Sequence, residues 1–181
     1  LMAGDGQDHI NVIERKLIDC LRTGDYDTLT GDGTGSAWAS GNGVDVTVYG
    51  QFPTTEELNY PCIIVEEVAN GTEEQFMGRK LTYGSSDTLA LGALYGVGFN
   101  VHIAVDRDST ITVDGEPYKE RRLINYLMLN CANILSDCTF DAATTEVVER
   151  HYSGFREMGY NPQLEVWAAI CSVVMIFKNT R

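Results

Sequence analysis

The chain has 181 residues, with 13 Lys or Arg against 26 Asp or Glu, a formal charge of −13. That length suits a single domain with a buried core, and 44% hydrophobic with 22% charged residues excludes a chain too polar to fold. The carboxylate excess excludes a sequence-independent grip on DNA or RNA phosphates, and no run reaches the roughly 18–20 apolar residues that a membrane helix needs.

The opening LMAGDGQDH has neither the basic nor the apolar region of a signal peptide, so a soluble chain made in the cytoplasm and not secreted by the usual route is expected. Asp8 then caps a predicted helix over 9–22, whose Ile10, Ile13, Leu17, Cys20 and Leu21 form one apolar stripe. Gly24 ends it. Residues 24–43 are rich in Gly, Ser, Thr and Asp and read as a long arm. VDVTVY (44–49) alternates as a half-buried strand, and YPCIIVEEV (60–68) is the next, with Pro61 near its start. A second polar stretch, 70–88, follows, and its QFMGRKLTY reads as a short exposed strand of a projecting hairpin.

Leu94–Val105 is the clearest strand: Tyr95, Val97, Phe99, Val101, Ile103 and Val105 share one face, and Gly96, Gly98, Asn100, His102 and Ala104 the other. RDSTITVDG extends it or forms a hairpin closing at Asp114-Gly115. Pro117 is expected to open a second helix over 117–136, with a buried stripe of Leu123, Leu127, Cys131 and Ile134 widened by Ile124, Met128 and Leu135. EVVERHY (146–152) reads as a strand, YNP (160–162) as a turn, and LEVWAAICSVVMIFK (164–178) as a strand apolar on both faces, hence near a sheet centre. The whole is an α+β domain over 1–181: a mostly antiparallel sheet with two helices packed on it, and arms inserted at about 24–50 and 69–92.

The chemistry-bearing patterns are sparse. GDGTGSAWASGNG (31–43) lacks the lysine of a phosphate loop, and Asp25, Asp27 and Asp32 miss the register of a calcium loop. Cys20, Cys62, Cys131, Cys138 and Cys171 are odd in number, without a CxxC pair, and are expected to be reduced core residues. No G-x-S-x-G elbow and no HExxH occurs, and no metal or cofactor is expected. One catalytic alternative is a small metal-assisted hydrolase built from His102, His151 and a carboxylate such as Asp106 or Glu149. A more productive pattern is apolar residues inside polar arms: Phe52, Phe76, Met77 and Tyr83 suit burial in a partner, with Arg79 and Lys80 beside them. Lys119, Arg121 and Arg122 in YKERRL would form an ion-pair patch between subunits or, more simply, a solvated helix face.

This order of parts resembles the tail-terminator (tail-completion) proteins of tailed bacteriophages: helix, long arm, YPCIIVEE strand, projecting polar hairpin, GFNVHIAV strand, YKERRL helix and LEVWAAICSVVMIF strand. The resemblance spans about 9–178. It implies a non-enzymatic virion protein of the neck, a homo-hexameric ring that caps the tail tube, stops its polymerisation and joins it to the head connector. DNA would pass through without specific binding: six copies would carry −78 formal charges, six times −13, and like charge keeps the duplex from adhering. Two other readings remain open: a head-completion or adaptor subunit of the same neck, and a binding module whose arms grip a protein ligand.

Overall fold

The computed structural model describes residues 5–23, 46–50, 58–68, 73–74, 81–82, 89–90, 92–113, 115–137 and 146–180. Among these residues there are two helices, α1 (Asp5–Thr23) and α2 (Glu120–Asp137), and eleven strands. In chain order these are β1 (Thr47–Tyr49), β2 (Cys62–Glu67), β3 (Glu73–Glu74), β4 (Leu81–Thr82), β5 (Leu89–Ala90), β6 (Gly92–Asp106), β7 (Thr110–Val113), β8 (Glu116–Lys119), β9 (Glu146–Tyr152), β10 (Arg156–Asn161) and β11 (Val166–Thr180). The architecture is α+β, as the pattern predicts.

A seven-stranded sheet runs β1-β2-β6-β11-β10, with β3 added to β6 and β9 to β11. Among the described residues, β1 alone is parallel to its neighbour, β2; the other pairings are antiparallel. The two fifteen-residue strands β6 and β11 pair along their whole length, from Val166 opposite Asp106 to Thr180 opposite Gly92. They form the spine of the molecule, and β11, flanked by β6 on one side and β9 and β10 on the other, is central as its two-sided apolarity requires.

The period-two alternation of the spine decides where the core sits. Val97, Phe99, Val101, Ile103 and Val105 are wholly buried on one face of β6, and Ala169, Cys171, Val173, Met175 and Phe177 on the same face of β11. Both helices lay their apolar stripes on that face: Ile10, Ile13, Leu17, Cys20 and Leu21 from α1, and Leu123, Ile124, Leu127, Cys131, Ile134 and Leu135 from α2. The result is two layers, helices on one side and the other row of β6 and β11 facing away from them.

Several expectations shift. The first helix begins at Asp5, so Asp8 lies within it rather than capping it. Pro117 does not open the second helix. It pairs with Thr112 in a β7–β8 hairpin, a separate two-stranded ribbon where a missing donor is tolerated, and α2 starts three residues later at Glu120, whose φ of 46° turns strand into helix. Lys119 therefore ends a strand, while Arg121 and Arg122 occupy the first turn of α2. The chain turns over 162–165, just beyond YN, after β10, a strand the pattern does not announce. Within 69–92, β4 pairs antiparallel with β5 and β3 joins β6; the rest of the strand expected at 75–83 and most of the 24–50 arm lie outside the described residues.

Cysteine chemistry also needs a correction. Cys62, Cys131 and Cys171 are free and buried, but Cys20 is disulfide-bonded, with a partner outside the described residues. An apolar stripe hides a cysteine from solvent without keeping it from another cysteine. Among the described residues, no helix is long and apolar enough to cross a membrane.

Candidate functional site

The outward sheet face carries His102, His151 and Glu149, both histidines and one carboxylate of the hydrolase alternative. Ile64 of β2 lies opposite His102 of β6, and Glu66 opposite Asn100, so Glu66 and His102 are diagonal neighbours on one face. Glu66 Oε2 and His102 Nε2 stand 3.1 Å apart. One strand further on, the Ser172 hydroxyl donates to Asn100 Oδ1 at 2.9 Å, and the Ser172 backbone N–H donates to Ser153 Oγ at 2.9 Å. On β9, His151 Nε2 pairs with Glu149 Oε1 at 2.8 Å.

Register separates the groups that a hydrolase would have to unite. His102 sits opposite Ile170 and His151 opposite Val174, on different sides of β11 and four residues apart along it, about 13 Å at the usual strand rise. Asp106 is engaged elsewhere: its Oδ1 accepts the Ser109 N–H at 2.9 Å and the Ser109 hydroxyl, closing the turn between β6 and β7. A serine, a histidine and a carboxylate do share the face, yet the Ser172 proton is directed at the Asn100 amide. Among the described residues, no group of three or more His, Cys, Asp or Glu side chains could hold a metal ion. Burial raises the Cys131 thiol far above its ordinary range, and burial together with the nearby Asp106 charge pushes Cys62 up to about 12, so both are protonated and inert at neutral pH.

The basic trio is dispersed by the strand-to-helix junction. Arg121 reaches from α2 to β10, its Nε and Nη2 donating to the two Glu157 oxygens at 3.2 and 3.3 Å. The Arg122 guanidinium lies 4.0 Å over the Tyr118 ring, which meets Tyr126 edge-on at 5.3 Å. Lys119 is exposed. Two of the three cations thus pin α2 to its own sheet and hairpin. Phe52, Phe76, Met77, Arg79, Lys80 and Tyr83 lie outside the described residues.

Two surfaces that sequence reasoning passed over are notable for lacking charge. From Leu123 to Ser136, fourteen consecutive residues of α2 carry no ionisable acid or base other than Tyr126 and Cys131. The outward side of that helix presents Asn125, Leu129, Asn133 and Ser136, with Leu129 63% exposed. By contrast, α1 exposes Asn11, Arg15 and Arg22, while Glu14 and Asp19 are half-buried. The second surface is the outward row of β11, where Ser172 and Val174 are exposed between half-buried Ile170 and Ile176. A fourteen-residue uncharged run in a chain that is 22% charged was the available signal, but a buried helix leaves the same trace in one dimension. Compared with known proteins, the chain matches no family model and no curated protein.

Proposed function

We propose that this chain is a structural subunit of a bacteriophage neck, a tail terminator that assembles as a hexameric ring, caps the tail tube, ends its polymerisation and meets the head connector. The observation that carries the proposal is the element order. A first helix leads by a long connection to β2, a β4–β5 hairpin leaves the sheet before β6, and a hairpin, a helix and the central strand β11 follow. This is the arrangement on which the resemblance to tail terminators rests. The outward side chains support a structural rather than a catalytic role: the acids and imidazoles are paired locally and separated by register.

In such a ring, DNA would slide past acidic walls. The lumen is expected to lack clustered cations, and the Arg121–Glu157 pair, which occupies one arginine within its own subunit, is in keeping with that. The test is the position and copy number of the chain in assembled particles, together with electron microscopy of the purified protein alone and mixed with tail tubes. Six copies at the connector-proximal end of the tube are expected. A ring of other stoichiometry seated directly on the portal would move the chain to the head-completion class, and tubes that keep growing in its presence would overturn the proposal.

A further inference from the structure

The two uncharged surfaces lie on opposite sides of the same two-layer body. Helix α2 packs its buried stripe against β6 and β11, leaving Leu129 outward on the helix side, while Val174 of β11 points outward on the sheet side. We infer that copies of this chain join head to tail, with the outward face of α2 on one copy lying against the outward row of β11 on the next. The inference rests on the ring reading above and names the surface that would close it.

Charge selects a second copy as the occupant. Every copy carries −13, so two copies repel wherever their acidic surfaces meet, and contact costs least where neither side is charged. The fourteen-residue α2 run and the twelve-residue stretch Val166–Phe177 are both free of Asp, Glu, Lys, Arg and His. The charged side chains that border both surfaces are paired within their own copy: Arg121 with Glu157 at the start of α2, Glu149 with His151 on the β9 side of the β11 row, and Glu66 with His102 across β6. The helix stretch fits within the strand stretch: Asn125 to Ser136 spans about 16 Å and Ala168 to Ile176 about 26 Å. Because the surfaces differ and lie back to back, the contact is heterologous, and repetition closes a ring or extends a stack instead of stopping at a two-fold dimer.

Leu129→Asp on the helix and Val174→Asp on the strand test this by native mass spectrometry and light scattering of the full chain. Each places a carboxylate in the contact and is expected to weaken self-association about a hundredfold or more. Mixing the two variants leaves one intact helix surface facing one intact strand surface, so a one-to-one pair that cannot extend is expected. Asn133→Asp and Ser172→Glu repeat the test should either first variant lose its folded circular dichroism. Variants that assemble like the wild type overturn the inference while leaving the ring reading intact. A Val174→Asp chain that still dimerises alone, or a mixture that recovers no pair, overturns it too. A wild-type chain that stays monomeric both alone and on tube ends removes the ring reading, and the inference with it.

Discussion

Arg121 shows how a residue that looks available in the sequence is committed in the fold. Its bidentate pair with Glu157 ties the first turn of α2 to β10, but the guanidinium side chain is 67% exposed, so water screens the pair. Replacement by Met is expected to cost only about 0.5 kcal/mol, read as a small shift in the urea midpoint. Glu14 is a more telling residue. Burial, and then the charge of Glu67, raises its carboxyl above the ordinary range, so the folded chain binds that proton more tightly than the unfolded one. Stability from this group is present at low pH and is lost as pH rises through the raised value. Glu14→Gln should therefore melt higher than the wild type at pH 7, the difference disappearing below about pH 4; a gap that persisted at pH 4 would assign it to packing. The thiols give a third expectation. With five cysteines, three of them free, unfolding without reductant should expose three titratable thiols, and reduction five. The three should react slowly with iodoacetamide in the folded chain, because each is buried and held as the thiol.

At the scale of elements, the helix-on-spine packing holds the molecule together, and the edges keep it from pairing in the wrong way. Leu127 is wholly buried between α2 and the sheet, and Leu127→Ala is expected to cost about 3 kcal/mol in chemical denaturation. The β9–β10 side of the sheet is blunted twice. Register slips where Ile176 and Phe177 meet Glu149 and Val147, and again between Glu157 and Gly159, where Gly159 takes a φ of 88°. Bulges of this kind, with Glu149, Arg150 and His151 on the edge, discourage strand addition, which leaves faces rather than edges for association. Gly159→Ala, whose added methyl meets nothing within 4 Å, should still cost about 1 kcal/mol from the left-handed backbone alone. Residue type explains why β10 was illegible in the sequence. Burial alternates along REMGYN, but the half-buried positions hold Glu157 and Gly159 while Met158 and Tyr160 are exposed, so no apolar period marks a buried face. By contrast β6, β11 and both helices bury one consistent face, and their patterns predict them closely. Pro117 misled for a different reason: its fixed φ suits a helix start, but pairing with Thr112 pre-empted it, a tertiary choice that local preference does not record. The candidate surfaces were harder still, since which side of a continuous apolar run faces water depends on what packs against the other side.

For the whole molecule, the charge of −13 makes salt the sharpest discriminator between two ways of joining copies. If subunits associate through ion pairs such as those YKERRL invites, added salt weakens them. If they associate through the uncharged α2 and β11 surfaces, the dominant electrostatic effect is long-range repulsion between bodies of equal sign, because the charges bordering those surfaces are paired within each copy while thirteen net charges remain on each. Shortening the screening length from about 14 Å to about 4 Å then removes more repulsion than attraction. Between about 0.05 and 0.5 M sodium chloride, the concentration needed for half-assembly is expected to fall roughly tenfold. Chloride is the informative salt, because sulfate strengthens apolar contact by exclusion and would mimic the result. Sedimentation or light scattering across that range settles the matter by the sign of the slope: assembly that weakens with chloride would return the contact to the charged residues and take it away from Leu129 and Val174.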